Sequence, residues 1–162
     1  MSLFEDNRYQ WRETYFVLFD YKQRPKASDA KRLLTELGPR MEIQEITENA
    51  DGLLESMTVF SHSDAAAMDI TYVEGEEVKE QVIQLRQEWK GKQAGGKEKP
   101  HLERAMHANA RFDVYHFEEI TGFPDEEDDG PLDPGTLLLV LNKLARLCHG
   151  EALDPQTGEL LE

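Results

Sequence analysis

The feature that most constrains the fold is the segment 14–20, which reads TYFVLFD. Successive side chains of a β-strand point to opposite faces, so a strand with this sequence is apolar on both sides. Apolar side chains on both faces need cover on both, which is the situation of a central strand and not of an edge strand. The segment therefore predicts a central strand with later elements packed above and below it.

The length of the chain predicts a single domain over residues 1–162, because 162 residues can bury a core of their own. Cys148 is the only cysteine, which excludes an internal disulfide framework and favours a reducing compartment. No apolar run approaches the roughly 20 residues of a transmembrane helix, and the N-terminus lacks the apolar core of a secretory signal. We therefore expect a cytoplasmic protein in which Cys148 is a buried core residue.

The formal net charge of −15 argues against nucleic acid and anionic membranes as partners. Nucleic acids bind mainly through Lys and Arg side chains that neutralise phosphates, and this chain has few of them. The charge is uneven, since residues 90–111 are locally basic and residues 121–133 form an acidic loop. We expect the partner, if there is one, to be another protein or a second copy of the chain.

Hydrophobic periodicity and turn residues predict the other elements. Helices are expected at 28–37, 76–89, 101–110 and 136–148, and strands at 41–47, 53–60, 68–73 and 112–120. Ser28 is expected to cap the first helix, and the strands before and after the turn at 49–52 are expected to form a hairpin. The remaining segments are a polar lead-in, a flexible Gly/Lys loop and a tail, at 1–13, 91–100 and 151–162.

Runs of strands between helices favour an α+β fold with a mostly antiparallel sheet. The nearest common architecture is a two-layer, ferredoxin-like βαββαβ core with an extra strand and an additional C-terminal helix. Such folds host many functions, so the function has to be argued from particular residues.

Two stretches imitate ligand-binding loops. Gly91, Gly96 and Lys97 match the spacing of a P-loop, but Glu98 replaces the required hydroxyl residue and the segment follows a helix instead of a strand. Four acidic residues imitate positions 1, 3, 5 and 9 of an EF-hand, namely Asp125, Glu127, Asp129 and Asp133. Thr136 stands where the EF-hand needs glutamate, so a solvated acidic loop is the favoured interpretation and weak divalent binding is the alternative.

Two carboxylate and imidazole pairs are candidates for proton transfer. Glu103 and His107 are spaced i, i+4 on the short predicted helix, and His116 and Glu118 lie on one face of a predicted strand. Surface hydrogen bonding explains both pairs more simply than catalysis. No pair of histidines has the close helical spacing of a zinc site, so the sequence identifies no metal or cofactor.

The best binding hypothesis concerns the loop before the first predicted helix. Lys22, Arg24 and Lys26 cluster just ahead of Ser28, where free amides and the helix dipole favour an anion such as phosphate or carboxylate. Three solvated basic side chains in a polar loop are the favoured alternative.

The sequence leaves two classes of function open. We favour a non-enzymatic cytoplasmic module that acts through protein association or small-ligand sensing, because residues 137–147 form a helix that is apolar nearly all round. The alternative is a small-molecule or metal-using enzyme with a His/Glu site from residues 101–118, where His101 joins the two pairs above.

Overall fold

The computed structural model describes residues 7–38, 41–61, 65–89, 99–119 and 135–161. Within these ranges the chain forms seven strands and four α-helices. In chain order they are β1 (Tyr9–Phe19), α1 (Ala27–Thr35), β2 (Met41–Glu48), β3 (Leu54–Ser61), β4 (Ala66–Glu74), α2 (Glu76–Trp89), α3 (Lys99–Met106), β5 (Ala110–Glu119), α4 (Gly135–Leu147), β6 (Glu151–Asp154) and β7 (Glu159–Leu161).

All of these strands belong to one sheet in the order β2-β3-β4-β5-β1-β6-β7. β1 pairs with β5 on one side and β6 on the other, so the prediction of a central strand is confirmed. β1 also starts earlier than expected, because Tyr9 pairs with Glu119 and part of the polar lead-in thereby joins the sheet. The register shifts between Trp11 and Glu13, where a β-bulge interrupts the pairing with β5.

Helices cover the sheet on both faces. On the α1/α4 face, Val17 and Phe19 pack with Phe112 and with the buried sides of α1 and α4. On the α2/α3 face, Leu18 and Leu153 pack with the buried sides of α2 and α3. The sheet is therefore the middle of three layers, and the expectation of two layers is corrected, since both apolar faces of β1 demand cover.

The mostly antiparallel α+β class is confirmed, but the strand order differs from that of a ferredoxin-like core. Every pairing between named strands is antiparallel. A ferredoxin-like βαββαβ core places one strand between the two strands that a helix connects, whereas three strands separate β1 from β2 here. Strands β2, β3 and β4 follow one another as neighbours, and β5 then fills the place between β4 and β1. The helix after β1 consequently leads to β2 at the far edge of the sheet, beyond β3, β4 and β5.

The predicted hairpin between β2 and β3 is confirmed. The side chain of Asn49 shapes its turn, because Oδ1 accepts hydrogen bonds from the backbone amides of Asp51 and Leu53, each at 2.9 Å. Gly52 completes the turn with a φ of 79°, which favours glycine.

Helix α1 begins at Ala27, whose backbone amide donates to the carbonyl of Gly52 at 2.9 Å. Ser28 therefore lies inside the helix, and the prediction that it caps α1 is wrong.

The C-terminal tail contains the strands that sequence reasoning missed. β6 pairs with β1 and then with β7 across a turn in which Gly158 has a φ of 72°. Trp89 Nε1 donates to the Gly158 carbonyl at 3.0 Å and thereby joins this hairpin to the end of α2.

The acidic loop 121–133 lies outside the described residues. The Gly/Lys loop 91–100 lies outside them as well, apart from Lys99 and Pro100, which begin α3.

Across the described ranges, no helix is both long enough and apolar enough to span a bilayer.

Gly150 lies where the chain turns from α4 into β6, and it provides a test of how tightly β6 packs on β1. A Cβ on this residue would meet the carbonyl oxygen of Leu18 and would lie 2.8 Å from Cβ of Phe19. We expect Gly150→Ala to lower the free energy of unfolding by about 1–3 kcal/mol, since backbone must shift to relieve the overlap. Chemical denaturation followed by circular dichroism measures this change.

Gly38→Ala is the matched control, because a methyl group on Gly38 would meet no atom of the described, non-neighbouring residues within 4 Å. We expect this control to stay within about 0.5 kcal/mol of the parent protein. Equal stability of the two variants would contradict the close approach of Gly150 to β1.

Candidate functional site

A pocket of about 310 Å³ lies at the edge of β6. Helices α3 and α4, the turn after α4 and the strands β6 and β7 surround it. Its lining residues are His101, Arg104, Leu138, Leu141, Asn142, Ala145, Arg146, His149, Gly150, Glu151, Ala152 and Leu161. The pocket thus combines elements from both faces of the sheet at the point where β6 begins.

The periodicity of α4 explains why this helix contributes to both the core and the pocket. Its buried stripe contains Leu137, Val140 and Leu144, which pack against the sheet. Next to it, Leu138, Asn142 and Arg146 are spaced four residues apart and therefore lie along one side of the helix. That second stripe forms one wall of the pocket.

The turn after α4 places a carboxylate at the inner end of the pocket. His149 has a φ of 52°, and the close approach of Gly150 to β1 brings the chain directly into β6. Glu151, the first residue of β6, is consequently buried, with 6% of its surface exposed. A buried carboxylate needs hydrogen-bond donors, and α3 supplies them.

Oε1 of Glu151 accepts two hydrogen bonds from α3. His101 Nδ1 lies 2.8 Å from it and Arg104 Nη1 lies 3.1 Å from it. Because a carboxylate only accepts, His101 carries a proton on Nδ1 when it makes this contact. Both α3 side chains remain about half exposed, at 52% and 54%, so Glu151 holds them in place while they stay accessible from the pocket.

The wall from α4 carries polar groups that have no such partner. Asn142, Arg146 and His149 are exposed, and their side chains make no hydrogen bond or ion pair with another residue of the described ranges. Counting histidines as neutral, Arg104 and Arg146 against Glu151 leave the pocket with a net charge of +1. This is a locally positive site on a chain whose formal net charge is −15.

The structure does not bring the predicted catalytic residues into one site. Glu103 and His107 are exposed on and after α3, which packs on the α2/α3 face. His116 and Glu118 alternate with Phe117 and so point to the opposite, α1/α4 side of β5. A catalytic role for either pair alone stays a prediction.

His116 finds its carboxylate partner on β1 instead of on its own strand. It is buried, with 3% exposure, and its Nδ1 lies 3.3 Å from Oε1 of Glu13. Glu118 pairs with Arg12 at 3.4 Å. Burial lowers the pKa of His116 below its usual value, and the nearby Glu13 carboxylate offsets part of that effect.

The predicted anion-binding residues have different environments. Arg24 turns inward, where its Nε donates to the Leu54 carbonyl at 3.0 Å and its guanidinium carbon lies 3.6 Å from the centre of the Tyr72 ring. Lys22, Lys26 and Ser28 are exposed. Arg24 therefore joins the loop to the sheet, while anion binding at this turn stays a prediction.

Two predicted loops lie outside the described residues. One contains the predicted metal-binding residues Asp125, Glu127, Asp129 and Asp133, and the other is the P-loop-like segment 91–97. Among the residues that the structure does describe, no three His, Cys, Asp or Glu side chains are grouped in a way that could hold a metal ion.

Cys148 is buried in the core, as its sequence context predicts. Its Sγ donates to the Leu144 carbonyl at 3.0 Å, and burial raises the pKa of the thiol to about 12. A thiol with so high a pKa is not a nucleophile at neutral pH.

A buried polar cluster on the α2/α3 face has a structural role. Arg111 donates to Asp113 at 2.6 Å and to Gln81 and Glu77 of α2 at 2.6 and 2.9 Å. Its guanidinium carbon also lies 4.5 Å from the centre of the Phe16 ring. Burial raises the pKa of Asp113, although the Arg111 contacts oppose this shift. The cluster joins α2 to β5 with its polar groups already engaged.

Sequence reasoning missed the residues that do converge. Glu151 falls in the predicted tail, Arg104 falls in the locally basic segment, and no sequence motif singles out Arg146. One signal is present, because an acidic residue follows directly after an apolar helix and a glycine, ahead of the apolar pair Ala152 and Leu153. The apolar pair indicates a short strand, but nothing local indicates that the glutamate is buried, since glutamate is mostly exposed in proteins.

No protein-family model, curated protein or solved structure matches this chain.

The lowered pKa of His116 predicts a pH dependence of stability. The unfolded chain binds a proton at this residue more readily than the folded protein does, so the free energy of unfolding falls as the pH drops through about 6.5. We expect His116→Gln to show a smaller loss of stability than the parent protein between about pH 7.5 and pH 5.5. Urea denaturation at several pH values measures the two slopes.

His107→Gln is the matched control, since His107 is exposed. It should keep the parent slope. Identical slopes for the parent protein and His116→Gln would show that burial of His116 contributes nothing to the pH dependence.

Proposed function

We propose that this protein is a non-enzymatic module that binds a small anionic molecule in the pocket beside β6. The observation that carries the proposal is the net charge of +1 at a pocket of about 310 Å³, set in a chain of net charge −15. Anions are repelled by most of such a surface, so a cationic pocket concentrates them at one place.

The chemistry of the lining supports recognition of a carboxylate or phosphate group. Arginine presents several N–H donors in a planar fork that matches the oxygens of these groups, and such charge-assisted hydrogen bonds are the stronger kind. Arg146 is available for them, because its side chain is exposed and has no partner among the described residues. Asn142 adds an amide that can donate from the same helix face.

Glu151 supports binding by ordering part of the site in advance. Fixing a flexible side chain on binding costs affinity, and Glu151 already holds Arg104 and His101 through its Oε1 atom. The volume of about 310 Å³ lies at the lower end of the range for ligand pockets, which favours a small metabolite over a nucleotide-sized ligand.

A cytoplasmic location and the lack of nucleic-acid or membrane partners belong to the same proposal. The single cysteine is buried and the chain is strongly acidic, and both features support a reducing compartment and partners other than polyanions.

The proposal predicts that Arg146→Gln abolishes ligand-induced stabilisation. A panel of monocarboxylates, dicarboxylates and phosphate esters should contain compounds that raise the melting temperature of the parent protein. A ligand at a hundredfold excess over its Kd contributes about 2.7 kcal/mol, or roughly 5–11 °C for a chain of this size. We expect these shifts to disappear in Arg146→Gln, which removes an exposed cation and leaves the core unchanged.

Arg32→Gln is the matched control, because Arg32 is an exposed arginine on α1 outside the pocket lining. Its shifts should equal those of the parent protein. A flat panel for the parent protein, or equal loss of the shifts in both variants, would overturn the proposal.

The second candidate function is association with a second copy or another protein. Leu138 and Leu139 on α4 are 43% and 51% exposed, whereas Leu137, Val140, Leu141 and Leu144 of the same helix are buried. Burying a leucine side chain contributes about 1.5–3 kcal/mol, so an interface that covers Leu139 in both copies would depend on it strongly.

If α4 forms a homodimer interface, Leu139→Gln raises the dimer dissociation constant at least about tenfold. Size-exclusion chromatography with light scattering over a range of concentrations measures this constant. Ile83→Gln is the control, since Ile83 is 54% exposed on α2 and equally apolar. A parent protein that stays monomeric at all concentrations would rule out self-association through α4.

A further inference from the structure

We infer that the ligand of the pocket is an unbranched aliphatic monocarboxylate whose chain lies along α4 toward Leu138. This inference rests on the proposed function and specifies the class of molecule that the pocket accepts. It follows from how the lining residues are distributed along α4, from their exposure and from their net charge.

The lining separates into a polar end and an apolar end along the axis of α4. Arg146 and His149 lie at the C-terminal end of the helix, close to Glu151 in the chain. Leu138 lies one turn past the N-terminal end. An α-helix rises 1.5 Å per residue, so Leu138 and Arg146 are separated by roughly 12 Å along the axis. The lining of the pocket therefore changes from cationic to apolar over this distance.

Between the two ends, Asn142 is polar and the other lining residues of α4 are small or apolar. Leu141 and Ala145 continue the wall from α4, and Ala152 and Leu161 of β6 and β7 contribute to the same lining. Leu138 is 43% exposed, which leaves apolar surface that a ligand chain can cover. Covering apolar surface is favourable in proportion to the area removed from water, so a ligand with a hydrocarbon chain gains affinity here that a bare anion does not.

The charge of the polar end selects the head group. Two arginines and one glutamate leave a net charge of +1 when the histidines are counted as neutral. A carboxylate of charge −1 balances this site, whereas a phosphate monoester with nearly two negative charges exceeds it. Glu151 would repel that excess from its position within the lining. The pocket therefore favours a monocarboxylate over an alkyl phosphate of equal length.

The test is a series of straight-chain carboxylates from butanoate to decanoate, below their micelle concentrations, titrated into the full chain by calorimetry at constant pH and ionic strength. We expect the Kd to fall by about two- to fourfold for each added methylene and then to level off once the chain reaches Leu138. Alkyl phosphates and primary alcohols of the same lengths should bind more weakly than the carboxylates.

Two variants separate the head group from the chain. Arg146→Gln should weaken all members of the series by a similar factor, because every member presents the same carboxylate. Leu138→Ser should reduce the gain per methylene for the longer members and leave butanoate unchanged. Leu139→Ser is the matched control, since Leu139 is an exposed neighbour on α4 that does not line the pocket, and it should keep the parent series.

Each other outcome identifies which claim fails. Binding that depends on Arg146 but not on chain length would overturn the aliphatic ligand and leave the anion-binding function in place. Alkyl phosphates that bind as tightly as the carboxylates would overturn the choice of head group. Absence of binding throughout the series, together with Arg146-dependent stabilisation by other anions, would overturn only this inference. Absence of both would overturn the proposed function as well.

Discussion

The burial of β1 on both faces is the constraint on which the rest of the structure depends. Val17 and Phe19 pack into the core of the α1/α4 face, while Leu18 packs into the core of the α2/α3 face. A strand of this kind must lie inside the sheet and must be covered twice, which accounts for a pair of helices on each face. The buried Arg111 and Asp113 are tolerated on the second face because Arg111 donates to Asp113 and also to Glu77 and Gln81 of α2.

The candidate site exists because β6 packs against this same strand. Gly150 permits the close approach of the chain to Leu18, and Glu151 is buried as a result. Its carboxylate then attracts His101 and Arg104 from α3, while Arg146 extends from the last turns of α4. A cationic pocket on an acidic protein is thus a consequence of how one short strand joins the sheet.

Burial separates the structural polar groups from those that can act on a ligand. His116, Asp113 and Cys148 are buried, and their pKa values are shifted mainly because burial disfavours their charged forms. Their hydrogen-bond partners are other residues of the fold, so these groups stabilise it. By contrast, His101 and Arg104 are half exposed although a buried carboxylate orients them. A group that is held in position and still accessible is better suited to bind a ligand.

The sequence by itself determined the elements whose signals are local: the central position of β1, the helices α1, α2 and α4, the hairpin of β2 and β3, and the buried Cys148. These features follow from side-chain periodicity and turn residues, which act between near neighbours in the chain. Only the tertiary structure decided the strand order, the third layer and the pocket. His101 and Glu151 are 50 residues apart, and their contact depends on β6 pairing with β1 and on α3 covering one face of the sheet. No local sequence pattern predicts such a contact, because it forms only when the sheet and the helices that cover it have assembled.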